Sequence, residues 1–425
     1  MELTPPFHTR LVRSLSIAVR PVWLLPAVAL IVICGALQAP LVVATGSSVA
    51  TWLDDGALAL AGALALLRIR RSPWVFAALM FWGALVAIAY FRSSLEPGVA
   101  LLVARQVGVP MALVFIGSVL NRREWAGVAW IAIAVGVVNS LYMLPELFGL
   151  RLIPPANALL ADSIHEIFVT DGLPGYYYYY YAEGSFFVRA GGLFLNPPIA
   201  GIACAVALVL AWWMPRRKWH WPLAAVLGIA VAASASRAGL LIVAIGLVLP
   251  LVRRWIGTLW TVVAALALGS AGAAIFFSHA GSGLHAAGLI QGVTDGVQSV
   301  IGLGFGHAGN YSSSVGAAES GESLVGVAVS AMGIPALLVI LFSAALLVRV
   351  TLAAHPDPLG GLAIAALGAA ALSETGGALN GTVALWAVVG VVLSRTENSS
   401  SGARLRAASR QRAPTEEPGE EDPAT

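Results

Sequence analysis

Charge is scarce in this chain. Asp, Glu, Lys and Arg make up only 11% of the 425 residues, 59% are hydrophobic, and the mean hydropathy is +0.85. A water-facing domain carries roughly 25% charged residues, so a soluble globular protein is excluded. Cysteine is scarcer still. Cys34 and Cys204 each lie inside an apolar run, which excludes a disulfide framework and a thiolate metal cluster. No metal and no cofactor is expected. The net charge of +3 is not gathered into a nucleic-acid-binding face; the basic residues sit in short loops and in the terminal segments, which is a topology signal. A cleavable leader is not expected either, because the first apolar run begins near Pro21 and is long enough to be retained as a helix.

What is abundant is apolar sequence in helix-length runs. It predicts an all-α, polytopic membrane bundle rather than a barrel. Twelve spans are expected near residues 21–44, 49–67, 73–91, 98–120, 125–148, 190–214, 219–235, 238–252, 256–277, 323–348, 359–375 and 378–394. The seventh and eighth are short and meet at Ser236-Arg237, as a broken pair would. With both termini in the cytoplasm, all of the 24 Lys and Arg residues except Arg92, Arg105, Arg151, Arg189 and Arg237 fall on the cytoplasmic side. The expected organisation is a cytoplasmic arm over 1–20, a membrane domain over 21–394 and a disordered cytoplasmic tail over 395–425. Two larger segments, 149–189 and 278–322, then lie outside.

The outer side carries the candidate chemistry. Arg189 precedes Ala190-Gly191-Gly192, and Arg237 precedes Ala238-Gly239. A guanidinium stays charged and offers a planar fork of donors suited to phosphate oxygens, and flanking small residues would let a bulky headgroup approach the backbone. The plainer reading is of interfacial arginines reaching lipid phosphates. Asn196-Pro197-Pro198 would disturb the early sixth span and free backbone groups at its mouth. The run Tyr176 to Tyr181, with Tyr178 and Tyr180 as candidates, could stack on sugar faces or form an interfacial aromatic belt. Residues 157–168 have helical apolar spacing and could lie along the membrane surface. Arg105 is embedded mid-span and needs a partner, for which Asp54, Asp55 or Glu374 could serve, as a structural ion pair or a substrate charge. The stretch Gly302-Leu-Gly304-Phe-Gly306 lacks the Lys and Ser or Thr of a nucleotide loop and reads as a flexible outer loop. Glu322, at the mouth of the tenth span, is either a carboxylate favouring the helix dipole or a general base; His279, His285 and His307 are weaker candidates for that base.

Taken in order, these residues resemble the O-antigen ligase and O-antigen polymerase superfamily. The motifs are Arg189-x-Gly191-Gly192-x-Phe194-x-Asn196-Pro197, Ser234-x-Ser236-Arg237-x-Gly239, Gly302-x-Gly304-x-Gly306, and Glu322-Ser323 with Gly333 ten positions after the serine. The ligases of that family have histidine where Glu322 stands, which favours a polymerase-like member with a carboxylate base. The resemblance implies a metal-independent, inverting glycosyltransferase of a bacterial inner membrane, active on the extracytoplasmic side in lipopolysaccharide or exopolysaccharide synthesis. Its donor would be a glycan on polyprenyl (undecaprenyl) diphosphate, its acceptor a glycan or a lipid, and a chain-length regulator would be a plausible partner. Arg189 and Arg237 would bind the diphosphate, and Glu322 would take the acceptor proton. A cell-shape type peptidoglycan polymerase has a similar helical plan but no matching motif here. A lipid-linked oligosaccharide flippase is the reading from another class; it predicts paired broken helices in two related halves.

Overall fold

The computed structural model describes residues 23–45, 48–148, 150, 179–182, 185–213, 220–252, 283–309, 323–353 and 358–411. They are helical apart from one short hairpin. The helices are α1 (Leu24–Thr45), α2 (Leu53–Leu66), α3 (Pro73–Phe91), α4 (Pro97–Val119), α5 (Arg122–Leu147), α6 (Pro197–Trp213), α7 (His220–Ser234), α8 (Arg237–Val243, continuing through a π turn to Val252), α9 (Gly283–Gln298), α10 (Leu324–Ala353), α11 (Pro358–Leu372) and α12 (Leu379–Gln411). Strands β1 (Tyr179–Ala182) and β2 (Ser185–Val188) pair antiparallel, with Tyr180 opposite Phe187, and lead into Arg189.

Starts are written locally. Pro73 and Pro97 stand in the first turns of α3 and α4, where a missing N–H costs nothing. Asn121 and Glu124 form a reciprocal capping box at the start of α5. Among the described residues α1, α3, α4, α5 and α10 are long and apolar enough to cross a membrane. Their outer faces are apolar too: Ile33, Met80, Phe81, Ile88, Leu341 and Phe342 are exposed. Side chains of that kind in that number belong against lipid, and the chain is a membrane protein.

Interhelical contact runs through small residues, because lipid offers no hydrophobic gain for helix association and close packing must supply it. Gly117 of α4 lies on Ala387 of α12, and Gly390 of α12 lies on Val114 of α4. Gly288, Gly292 and Gly296 form one face of α9; Gly292 meets Gly326 and Gly296 meets Val329, both on α10. One end of the bundle, where α4 passes into α5, is closed by a buried ion pair. Arg68 Nη1 and Nη2 donate to Glu124 Oε2 and Oε1 at 2.6 and 2.7 Å, and Arg71 Nη1 donates to the Val119 carbonyl.

Three expectations need correcting. The sixth span starts at Pro197 rather than 190: Asn196 Oδ1 accepts from Ile199 N and its carbonyl from Ala200 N, so Asn196-Pro197-Pro198 opens α6 instead of disturbing it. The segment 278–322 contains a helix, α9, followed by a pinned strap rather than a flexible loop. In that strap Phe305 is buried, Leu303 N donates to Ser330 O, and Phe305 O accepts from Ser94 N at the turn between α3 and α4. The backbone of α12 stays helical to Gln411, into the stretch expected to be a disordered tail; residues 396–411 hold no proline to break the ladder inherited from the span. The expected span over 256–277 and the surface helix over 157–168 lie outside the described residues.

The strap crosses α10 at a kink. Gly333 has φ 73° and ψ −155°, a region open only to glycine, and a Cβ there would collide with the backbone of Gly302. Gly333→Ala is expected to destabilise the protein by about 3 kcal/mol from strain and overpacking together. Leu338→Ala, on the lipid face, is expected to stay within about 0.5 kcal/mol of the parent. Unfolding in detergent micelles checks both, and equal stability of the two variants would contradict the kink.

Candidate functional site

The described parts of α6, α7 and α11 are 15–17 residues long, about 22–26 Å, against a hydrocarbon layer roughly 30 Å thick. Helix ends in a membrane bundle need partners for their terminal N–H and C=O groups, because lipid offers none.

The chain supplies the partners itself. Between α7 and α8 the backbone turns at Ala235, which has φ 46°. Arg189 caps the end of α7: its Nε donates to Ser234 O at 2.9 Å and its Nη2 to Ala235 O at 3.2 Å. A cation on C-terminal carbonyls also matches the helix dipole. Ser236 caps the start of α8, its Oγ accepting from Gly239 N and donating to Pro198 O in the first turn of α6. Gly201 and Gly239 let α6 and α8 touch at this level. Arg237 is the first residue of α8 and half-buried. Thus Arg189 and Arg237 flank one turn, beside the N-termini of α6 and α8, and the expected broken pair is real.

The glycines after Arg189 do something other than expected. Glu146, buried near the end of α5, accepts from Gly191 N at 3.0 Å and Gly192 N at 2.8 Å through one oxygen, Oε2. Asn139, one helical face earlier on α5, accepts from Leu193 N at 2.7 Å. Gly192 has φ 58° and a Cβ on it would strike Asn139 Oδ1. Two successive N–H groups make an anion nest, and here the chain's own carboxylate fills it. The space a Cβ would take at Gly191 is filled by the Leu195–Asn196 backbone, and at Gly192 by Asn139 and Met143. Both partners come from a span whose apolar pattern hid them; the signal in the sequence was Asn139 and Glu146 among the few polar residues of that run.

Arg105 belongs to a separate cluster. Its Nε donates to Asp55 Oδ1 at 2.6 Å, and its Nη2 bonds both oxygens of the fully buried Asp54 at 3.2 Å. Gln38 Nε2 adds a third donor to Asp54. Of the three partners offered by the sequence the two aspartates take the arginine. Glu374 is buried in the turn between α11 and α12, next to Gly309, and its carbonyl accepts from Gln106 Nε2. In that same region Ser323 caps α10, accepting from Gly326 N and donating to Ala371 O. The turn bridges α10 to α6. Gly377 packs on Leu324, and Gly381, at a break in α12, packs on Ile199 of α6. Glu322, Tyr178 and His279 lie outside the described residues, as do the side chains of Tyr180 and His285. Next to Ser323 an apolar cleft of about 100 Å³ is lined by Trp74, Trp82, Met111, Leu324 and Trp386 among others. Among the described residues no group of His, Cys, Asp or Glu could hold a metal.

No protein-family model, no curated protein and no solved structure matches the chain.

Arg105→Leu leaves Asp54 charged and buried without its main partner. The expected loss of stability is about 3 kcal/mol, the low end for a broken buried pair because the arginine side chain keeps 28% exposure. Arg105→Leu with Asp54→Asn should recover part of that loss in chemical unfolding. A double variant no better than the single one would mean that the pair does not carry the effect.

Proposed function

We propose that this chain is a bacterial inner-membrane glycosyltransferase that polymerises or transfers polyprenyl-diphosphate-linked oligosaccharide at the extracytoplasmic face. The observation that carries the reading is the placing of Arg189 and Arg237 about one turn, beside two helix N-termini in a membrane bundle. N–H groups, helix dipoles and guanidinium groups together attract an anion, and a site in a membrane protein suits one that arrives on a lipid. The cleft beside Leu324 offers an apolar surface to such a lipid's chain.

In this mechanism an acceptor hydroxyl attacks the anomeric carbon. The new C–O bond forms as the bond to the diphosphate breaks, with inversion, and polyprenyl diphosphate leaves. Glu322, adjacent in sequence to the α10 cap, takes the hydroxyl proton. The arginines stabilise the charge that grows on the departing diphosphate. Two donors of Arg189 are engaged with α7 carbonyls, which fixes its guanidinium at the end of that helix. A glycan acceptor makes the enzyme a polymerase; a lipid acceptor makes it a ligase.

A flippase is the second reading, favoured by the breaks in α10 at Gly333 and in α12 at Asn380 and Gly381. Discontinuous helices are what transporters use around a midplane substrate.

The test is a reconstituted assay with polyprenyl-diphosphate oligosaccharide. Lengthened lipid-linked glycans are expected from the parent. Arg237→Ala is expected to lower turnover by about 10²–10³, with Arg237→Lys intermediate because an ammonium lacks the fork. Glu322→Gln is expected to abolish the ladder. Movement of intact donor between leaflets, with no glycan transfer to any acceptor, would replace this reading with the flippase.

A further inference from the structure

We infer that Glu146 and Asn139 are positioning residues that hold the Arg189 segment in register for diphosphate binding; this rests on the transferase reading above. The argument begins with connectivity. Arg189 follows β2 and precedes α6, so its place is set by whatever fixes residues 190–196. Three consecutive backbone N–H groups in that stretch, those of Gly191, Gly192 and Leu193, all donate to side chains of α5. Ala190 N, just before them, donates to Ala233 O of α7. The segment is therefore strung between α5 on one side and the end of α7 on the other, with the Arg189 guanidinium on the same α7 carbonyls.

The backbone between these anchors is bent in a way it would not keep unaided. Leu195 has φ 49°, left-handed for a β-branched-free but bulky residue, and Gly192 has φ 58°. Such conformations persist where the surroundings over-determine them. Glu146 is 5% exposed and Asn139 fully buried, so neither can reach a substrate; they act through the segment. Glu146 has a second effect. Its negative charge stands a few residues from Arg189, and it lowers the positive potential of the pocket while holding the pocket's shape.

These two effects separate in variants. Glu146→Ala removes the acceptor and the charge. Glu146→Gln keeps a carbonyl oxygen for Gly191 and Gly192 and removes only the charge. Asn139→Ala frees Leu193 N without touching the charge.

The experiment pairs two readouts on full-length protein in lipid nanodiscs: amide hydrogen exchange over residues 190–193, and titration with polyprenyl diphosphate. Glu146→Ala and Asn139→Ala are expected to speed exchange there by about tenfold or more and to weaken diphosphate binding by a similar factor, raising the donor KM more than they lower kcat. Glu146→Gln is expected to keep near-parent exchange and, with the opposing charge removed, to bind diphosphate at least as tightly as the parent. Unchanged exchange in Glu146→Ala and Asn139→Ala would overturn the clamp. Faster exchange with unchanged affinity would overturn the positioning role and leave a purely structural contact. If the parent protein binds no polyprenyl diphosphate, the transferase reading fails and the positioning role fails with it, while the exchange rates still report whether the clamp exists. Should Glu146→Ala not fold, Asn139→Ala carries the comparison.

Discussion

Hydrocarbon provides no hydrogen-bond partners, so each helix end inside it must be satisfied by protein. Much of this structure follows from that constraint applied to helices too short to span. The carbonyls closing α7 find Arg189, the amides opening α8 find Ser236, and those opening α6 and α10 find Asn196 and Ser323. At the turn between α11 and α12 the carbonyls of Glu374 and Gly376 accept from Gln106 and from the Trp386 indole. Even the π turn in α8 has its partner, with Trp213 donating to Gly246 O. The result is a set of polar, capped helix ends within a membrane bundle, which is the physical precondition for any chemistry on a charged headgroup.

The two ends of the bundle use charge differently. At one, Arg68 and Glu124 form a bidentate, almost fully buried pair, and the same glutamate completes the cap of α5. Pairs of this kind add little net stability, since desolvation offsets their attraction, but breaking one is costly. At the other, Arg105 serves two aspartates at once, and Arg189 serves two carbonyls. Arginine suits all three places because its fork meets two acceptors in one plane. A lysine would meet one and leave the other unsatisfied.

Small residues serve two purposes that a sequence does not distinguish. On α4, α9 and α12 they allow helices to touch along their length. In the Arg189 segment and at Gly333 they allow the backbone to take conformations that a Cβ forbids. The expectation that Gly191 and Gly192 make room for a ligand followed from their neighbour, Arg189. The structure fills that room with Leu195, Asn196, Asn139 and Met143, and aims the glycine N–H groups at Glu146, 45 residues back in sequence and adjacent only after folding.

Several features were legible before folding was considered. Hydropathy located the apolar segments that the structure describes as helices, though not all of their ends, because a run of apolar side chains of that length has few other places to go. The break at Ser236-Arg237 was visible as an arginine between two short runs, and the need of Arg105 for an aspartate followed from the cost of a lone charge in lipid. The caps could have been read as well: Asn before two prolines is a helix start, and it was mistaken for a disturbance because the preceding residues are equally apolar. Composition and periodicity therefore determined that this is a helical membrane protein and where its chain turns. Only the tertiary structure decided which turns meet, that Arg189 lies on the end of α7, that Glu146 and Asn139 hold the segment between them, and that the glycine-rich strap locks the kink of α10. Those are contacts between residues far apart in the chain, and apolar patterning carries no record of which helix faces which when every neighbour, lipid included, is apolar.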